Sequence, residues 1–241
     1  MKIKQITFTG ADDTIEPTEL MSMSKNLPSN IEWGILVSKS ATGTNRFPTA
    51  TWLKMLLFKI GGLNKDTNLC MHICGHWVRE ICKGKFELTK KATPIAYIFW
   101  DAFKRVQLNF HSYIHEIDEP RFTELIEIFD KQWIFQLDDV NNDLLFRAVN
   151  NNINAVPLFD VSGGAGTVPE EWPKPIENLY CGYAGGLGPH NLKEELLLIE
   201  EEVEDGTIWI DMETHIRDYD TDKFDLKKVE ECVRIAEPWL I

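Results

Sequence analysis

The chain has 241 residues with 25 Lys+Arg against 38 Asp+Glu, a formal net charge of −13. Such an acidic molecule is repelled as a whole by a nucleic-acid duplex and by an anionic bilayer, so neither is an expected partner. Its 44% apolar and 26% charged content is ordinary globular usage and excludes a disordered tail.

Met1 to Gln5 runs straight into an alternating segment without an apolar signal core, and no later stretch reaches the roughly 18 apolar residues of a membrane span. The five cysteines, Cys70, Cys74, Cys82, Cys181 and Cys232, are odd in number and lack a staple-like spacing. Reduced thiols and a soluble, cytoplasmic chain are expected.

In chain order, β-branched and aromatic runs predict strands at Lys4 to Phe8, Trp33 to Val37, Leu69 to Ile73, Val106 to Phe110, Trp133 to Leu137, Val156 to Phe159, Leu179 to Ala184 and Thr207 to Met212. Helical patterns lie between them. Pro17 to Lys25 and Thr49 to Ile60 are two, and two helical pieces are expected between His76 and Phe103. Leu192, Leu196, Ile199 and Val203 mark another, whose acidic face (Glu194, Glu195, Glu200, Glu201, Glu202) reads as solvated. Leu226, Val229, Val233 and Ile235 mark a closing helix. Eight strand–helix units with parallel pairing predict an α/β fold, a (β/α)8 TIM barrel that uses residues 1–241 as a single domain.

In that architecture ligands meet the C-terminal strand ends. The sixth strand runs into Asp160-Val161-Ser162-Gly163-Gly164-Ala165-Gly166, and the seventh into Gly185-Gly186-Leu187-Gly188-Pro189-His190-Asn191 before a helix. Glycines let main-chain N–H groups approach an anion, although they equally make tight turns. The loops after strands seven and eight are where barrel phosphate sites recur, so a phosphate is expected there.

These residues resemble the phosphoribosylanthranilate isomerase family. Phe159-Asp160 with Gly163, Gly164 and Gly166 is similar to that family's strand-six aspartate and glycine loop, and Gly185-Gly186-Leu187-Gly188-Pro189-His190-Asn191 to its phosphate loop. Trp209 to Thr214 resembles its eighth strand, Phe224-Asp225 its C-terminal end, and Val106 to Leu108 its fourth strand; Arg46-Phe47-Pro48 falls where it has Arg-Tyr-Ile.

The resemblance implies an Amadori-type isomerisation of a phosphoribosyl compound, with Asp160 as general acid and Arg46 holding a ligand carboxylate. Gly163, Gly164, Gly185, Gly186, Gly188, Asp211, Glu213, Thr214 and His215 would then bind the ligand. Two positions depart from the family pattern. Thr9 replaces its cysteine base, and a threonine hydroxyl is no comparable proton acceptor. His215 replaces a glycine beside the phosphate, where it either fills the space or donates to a different anion.

Strand periodicity offers substitutes. His72 and Cys74 share one face at a strand end, as do Gln107, Asn109 and His111. Cys74 is a candidate base or nucleophile if His72 lowers its pKa, and both also read as packed polar residues. A metal held by His72, Cys74, His76 and His111 lacks any paired ligand spacing, so no metal and no cofactor are expected. The sequence thus supports an isomerase-like enzyme acting on a sugar phosphate or, alternatively, a non-catalytic binder of a ribose-phosphate or nucleotide-like metabolite. In either case the partner is a small anionic molecule.

Overall fold

A computed structural model describes residues 1–63, 67–85, 102–109, 117–137, 141–160 and 166–241. Eight strands close into a barrel: β1 (Lys2–Thr9), β2 (Ile31–Val37), β3 (Asn68–Cys74), β4 (Arg105–Asn109), β5 (Gln132–Leu137), β6 (Ala155–Asp160), β7 (Gly182–Ala184) and β8 (Thr207–Met212). Every neighbour pairs in parallel, and β8 returns to β1 through Ile210↔Ile6 and Asp211↔Thr7. The expected (β/α)8 barrel is therefore the fold. β7 is shorter than its apolar run predicts: the strand begins at Gly182, with the Cys181 carbonyl before it accepting from the Trp209 N–H at 3.1 Å.

Among the described residues the helices are α1 (Pro17–Asn26), α2 (Ala50–Leu63), α3 (His76–Cys82), α4 (Glu119–Glu127), α5 (Asn142–Asn150), α6 (Leu192–Val203) and α7 (Leu226–Ala236). Only the first of the two pieces expected between His76 and Phe103 can be compared; 86–101 lie outside the described residues. Local chemistry starts several helices. Glu16 and Glu19 form a capping box before α1, with Pro17 at its first position. Asp225 accepts from the N–H of Lys227 and Lys228 to start α7.

Along α6, Leu192, Leu196, Ile199 and Val203 are buried, as the spacing requires. Its acidic face is not merely solvated: Glu195 Oε2 accepts from Trp172 Nε1 at 2.9 Å, and Glu200 pairs with the Met1 amino group at 3.1 Å. No described helix is long and apolar enough to cross a membrane. All five cysteines are free thiols.

The two faces of the strands differ in kind. Outward residues such as Phe8, Trp33, Ile35, Met71, Leu108, Phe135 and Ile210 join the main apolar core against the helices. The inward face has a small apolar plug of Cys70, Ile134, Val156, Leu158, Ala184 and Trp209. Around that plug the barrel interior is polar, whereas branched aliphatics usually fill it. On its N-terminal side Arg105 crosses the interior: Nη1 donates to Glu32 Oε2 at 3.0 Å, Thr7 Oγ1 donates to the same oxygen at 2.9 Å, and the guanidinium lies 4.0 Å from the Trp209 ring centroid. Glu32 and Trp209 are fully buried and Arg105 nearly so.

Breaking one half of such a buried pair leaves a bare charge, which costs about 3–5 kcal/mol, whereas replacing both halves by apolar groups costs far less. Glu32→Gln is therefore expected to lower unfolding free energy by about that amount, and Glu32→Leu with Arg105→Met together by less. Urea unfolding of the single and double variants checks this; equal losses would mean that the charges are not coupled.

Candidate functional site

The mouth of the barrel holds a cavity of about 270 Å³. Its lining comes from seven strand ends: Leu36, Cys74, Gln107 and Asn109, Gln136, Asp160, the Ala184 to Leu187 turn, and Asp211 to His215. Gly166 and Phe47 complete it from the loops. Of the residues picked out in the sequence, Asp160, Cys74, Asn109, Gly185, Gly186, Asp211, Glu213, Thr214 and His215 are thus brought together. Thr9, His72, Arg46 and Gly188 do not line it. Gly163, Gly164 and His111 lie outside the described residues.

Asp160 and Asp211 are placed by register. Both pair with Ala184, from β6 and from β8, so two strand spacings put their Cα atoms roughly 10 Å apart at one level, with only a methyl group between them. Gln136 Nε2 donates to Asp160 Oδ2 at 2.7 Å. Thr9 Oγ1 donates to Asp211 Oδ1 at 2.7 Å. Burial first, then the charges of Glu213, Asp160 and Glu32, raise the Asp211 pKa well above the usual carboxylate range, so this group keeps its proton.

Thr9 and His72 sit beneath the cavity. His72 is 1% exposed, with Nε2 3.4 Å from Thr9 Oγ1 and Nδ1 4.0 Å from Asp211 Oδ2. The Thr9 hydroxyl thus stands between Asp211 Oδ1 and His72 Nε2. Gly34 on β2 makes this meeting possible, since a Cβ there would lie 2.1 Å from Thr9 Oγ1 and 2.8 Å from His72 Nε2. Burial, then Arg105, lowers the His72 pKa to about 3, which leaves the ring neutral.

The thiolate expectation is not met. Burial and Glu213 push the Cys74 thiol up to about 12 against a hydrogen bond from Asn109. Cys74 Sγ turns back toward the His72 carbonyl at 3.7 Å, and the neutral His72 ring supplies no positive charge to lower its pKa. Cys74 therefore lines the cavity as a thiol. His76 faces Lys39 and Trp77 instead of the cavity, and among the described residues no group of three His, Cys, Asp or Glu is arranged to hold a metal.

Arg46 is already occupied. Its Nη1 donates to Glu213 Oε1 and Thr214 Oγ1, both at 3.1 Å, and Nη2 donates to Asp222 Oδ1 at 3.3 Å. Its own N–H donates to Asp12 Oδ2 at 2.6 Å and holds a left-handed backbone with φ 72°. Internal partners thus take the fork that was expected to clamp a ligand carboxylate. Arg217, which the sequence reading did not single out, pins the rim. It is buried, with Nη2 donating to Asp12 Oδ2 at 2.8 Å, Nε to Asp222 Oδ1 at 2.9 Å, and Nη1 to the Gly10 carbonyl. Loops that follow β1, β2 and β8 are thereby locked to one another. An arginine in a loop carries no sequence signal of such burial.

The glycine turn after β7 is built for close approach. Gly185 and Gly186 have φ 118° and 64°, and a Cβ on Gly186 would fall 2.6 Å from the Val168 nitrogen. Gly188 does not serve a ligand, because its N–H donates to Asn191 Oδ1 at 3.0 Å while Asn191 Nδ2 donates to the Gly186 carbonyl. No acceptor among the described residues pairs with the N–H of Gly186 or Leu187. His215 fills the space that a glycine would leave: its Cβ packs on Gly188, its ring meets that of His190 at 4.7 Å, and Nε2 donates to the Gly166 carbonyl at 2.9 Å.

No protein-family model and no curated protein matches the chain. Solved structures do. A crystal structure of monomers generated from the dimeric phosphoribosylanthranilate isomerase of Thermotoga maritima matches with a TM-score of 0.56 at 12% identity, over 97% of this chain and 98% of that one. A protein described as putative spore coat polysaccharide biosynthesis protein E of Chromobacterium violaceum matches at 0.56 and 9% identity, over 99% of this chain and 76% of that one. Phospho-2-dehydro-3-deoxyheptonate aldolase of T. maritima matches at 0.54 and 10%, over 98% and 69%. At such identities the shared property is the TIM barrel itself.

The buried neutral His72 has a measurable consequence. A folded pKa of about 3, below the usual 6.5, adds stability that is complete above pH 6.5 and is lost as pH falls from 6.5 toward 3. The slope is at most about 1.4 kcal/mol per pH unit. Between pH 7 and pH 5 the native chain should lose about 2 kcal/mol more than His72→Gln does, as measured by urea unfolding at the two pH values. Parallel losses would mean that His72 is not held neutral.

Proposed function

We propose that this protein is an isomerase-like enzyme that moves protons on a small sugar phosphate held in the barrel mouth. The observation that carries the reading is the pair Asp160 and Asp211, flanking Ala184 over one cavity whose β7 edge is the Gly185 to Leu187 turn. Two carboxyl groups in different surroundings suit acid–base chemistry. Asp211, whose pKa is raised, is the donor to the opening ring oxygen, and Asp160, anchored by Gln136, takes the proton from the carbon next to the anomeric one; the enol so formed becomes the ketone as its hydroxyl loses a proton and the anomeric carbon gains one. The pair ends with its protonation states exchanged and is reset by proton exchange with water at the mouth. This reverses the acid role expected for Asp160.

The phosphate lies on the N–H groups of Gly186 and Leu187, with the Thr214 hydroxyl beside them. A protonated Asp211 also removes one negative charge that would otherwise repel the ligand. The similarity to phosphoribosylanthranilate isomerase extends over the whole chain but is a likeness of fold.

A specific observation favours a second reading, a binder that converts nothing. Thr9, at the position of the family's base, is tied to Asp211 and does not line the cavity. Turnover separates the two. Purified protein is assayed with phosphoribosylanthranilate, ribose 5-phosphate and glucosamine 6-phosphate, and Asp160→Asn is expected to lower kcat by about 100-fold or more with little change in binding. Binding without conversion of any probe supports the second reading, and turnover indifferent to Asp160→Asn overturns the first.

A further inference from the structure

We infer that the β3–β4 end of the cavity recognises a hydrogen-bond-donating group, a hydroxyl-bearing carbon or an amine, and rejects a carboxylate. This rests on the reading above for the other end of the ligand, the phosphate, and specifies what the site accepts opposite it.

Gln107 is 3% exposed and lines the cavity, and its Oε1 has no hydrogen-bond partner among the described residues. The orientation of its amide is fixed by its neighbours. Gln107 Nε2 donates to Asn109 Oδ1 at 3.0 Å. The side-chain atom left without a partner is therefore the acceptor. A buried acceptor without a donor carries its full desolvation cost, so a ligand N–H or O–H placed there gains more than one at a solvated amide.

Charge points the same way. Asp160, Asp211 and Glu213 line the cavity, while no lysine or arginine does so among the described residues. The two rim guanidinium groups are spent on Glu213, Asp222 and Asp12. A ligand carboxylate entering this end would meet an unpaired acceptor and, among the described lining residues, no free cation. An amine or a hydroxyl meets partners of the right sense.

The test uses inorganic phosphate, glucosamine 6-phosphate, glucosamine and anthranilate as calorimetric or NMR titrants of the whole protein. Glucosamine 6-phosphate is expected to bind at least about tenfold tighter than inorganic phosphate, and Gln107→Leu to abolish that increment without changing phosphate affinity. Gln107→Glu, which keeps an acceptor there, should retain the preference for the amine and guards against a simple packing defect in the leucine variant. Anthranilate binding as tightly as glucosamine, a Gln107→Leu variant that binds glucosamine 6-phosphate like the native chain, or no binding of either amine at millimolar concentration overturns the inference. Glucosamine binding without phosphate binding instead removes the phosphate reading and leaves this inference supported.

Discussion

A closed parallel barrel gives its inward side chains no route to water except through the mouth, so every polar group inside must be satisfied by another or by a ligand. In this protein that constraint shapes the interior below the cavity, although Glu32 Oε1, Arg105 Nε and Nη2 and Trp209 Nε1 find no hydrogen-bond partner among the described residues. The interior carries Thr7, Glu32, Arg105, His72, Thr9 and Asp211 where aliphatic layers are usual. Each solves the problem in a different way. Arg105 and Glu32 pair at 3.0 Å, with the Trp209 ring covering the guanidinium. His72 gives up its charge, and Asp211 keeps its proton. The low-dielectric interior thus sets the protonation states before any ligand arrives.

The rim is governed by the opposite problem, an excess of carboxylates near the surface. Asp12, Asp222 and Glu213 draw in Arg46 and Arg217, and the resulting web joins the loops after β1, β2 and β8. Burial works against the charges of Asp12 and Asp222, yet their hydrogen bonds and the arginines more than offset it and lower both pKa values. The web stiffens the mouth and leaves its polar lining to side-chain amides, hydroxyls and carboxyl groups. The acidic character of the chain is therefore expressed at its mouth as well as on its surface.

The fold was legible in the sequence to a degree that the site was not. Hydrophobic periodicity located all eight strands, because outward residues such as Trp33, Met71, Leu108 and Phe135 must be apolar to pack against helices. It also placed α1, α2, α6 and α7. Turn chemistry marked the Gly185-Gly186 turn, and the rule that barrel ligands meet strand ends assembled Asp160, Asn109, Asp211 and Glu213 at one mouth. Roles assigned to single side chains fared worse. Arg46 was read as holding a ligand carboxylate, yet it bonds within the protein; His215 was read as either filling space or meeting an anion, and it packs and bonds within the protein; Cys74 was read beside an activating histidine whose charge burial suppresses.

What the sequence determined by itself is the architecture, since it follows from a period of two along each strand and from the order of the strands. What only the tertiary structure decided is which residues of the mouth have polar atoms left over. That depends on contacts such as Arg46 with Glu213, 167 positions apart, and Thr9 with Asp211, 202 positions apart. Hydrogen-bond saturation and desolvation are properties of the closed barrel, and no local pattern of residues encodes them.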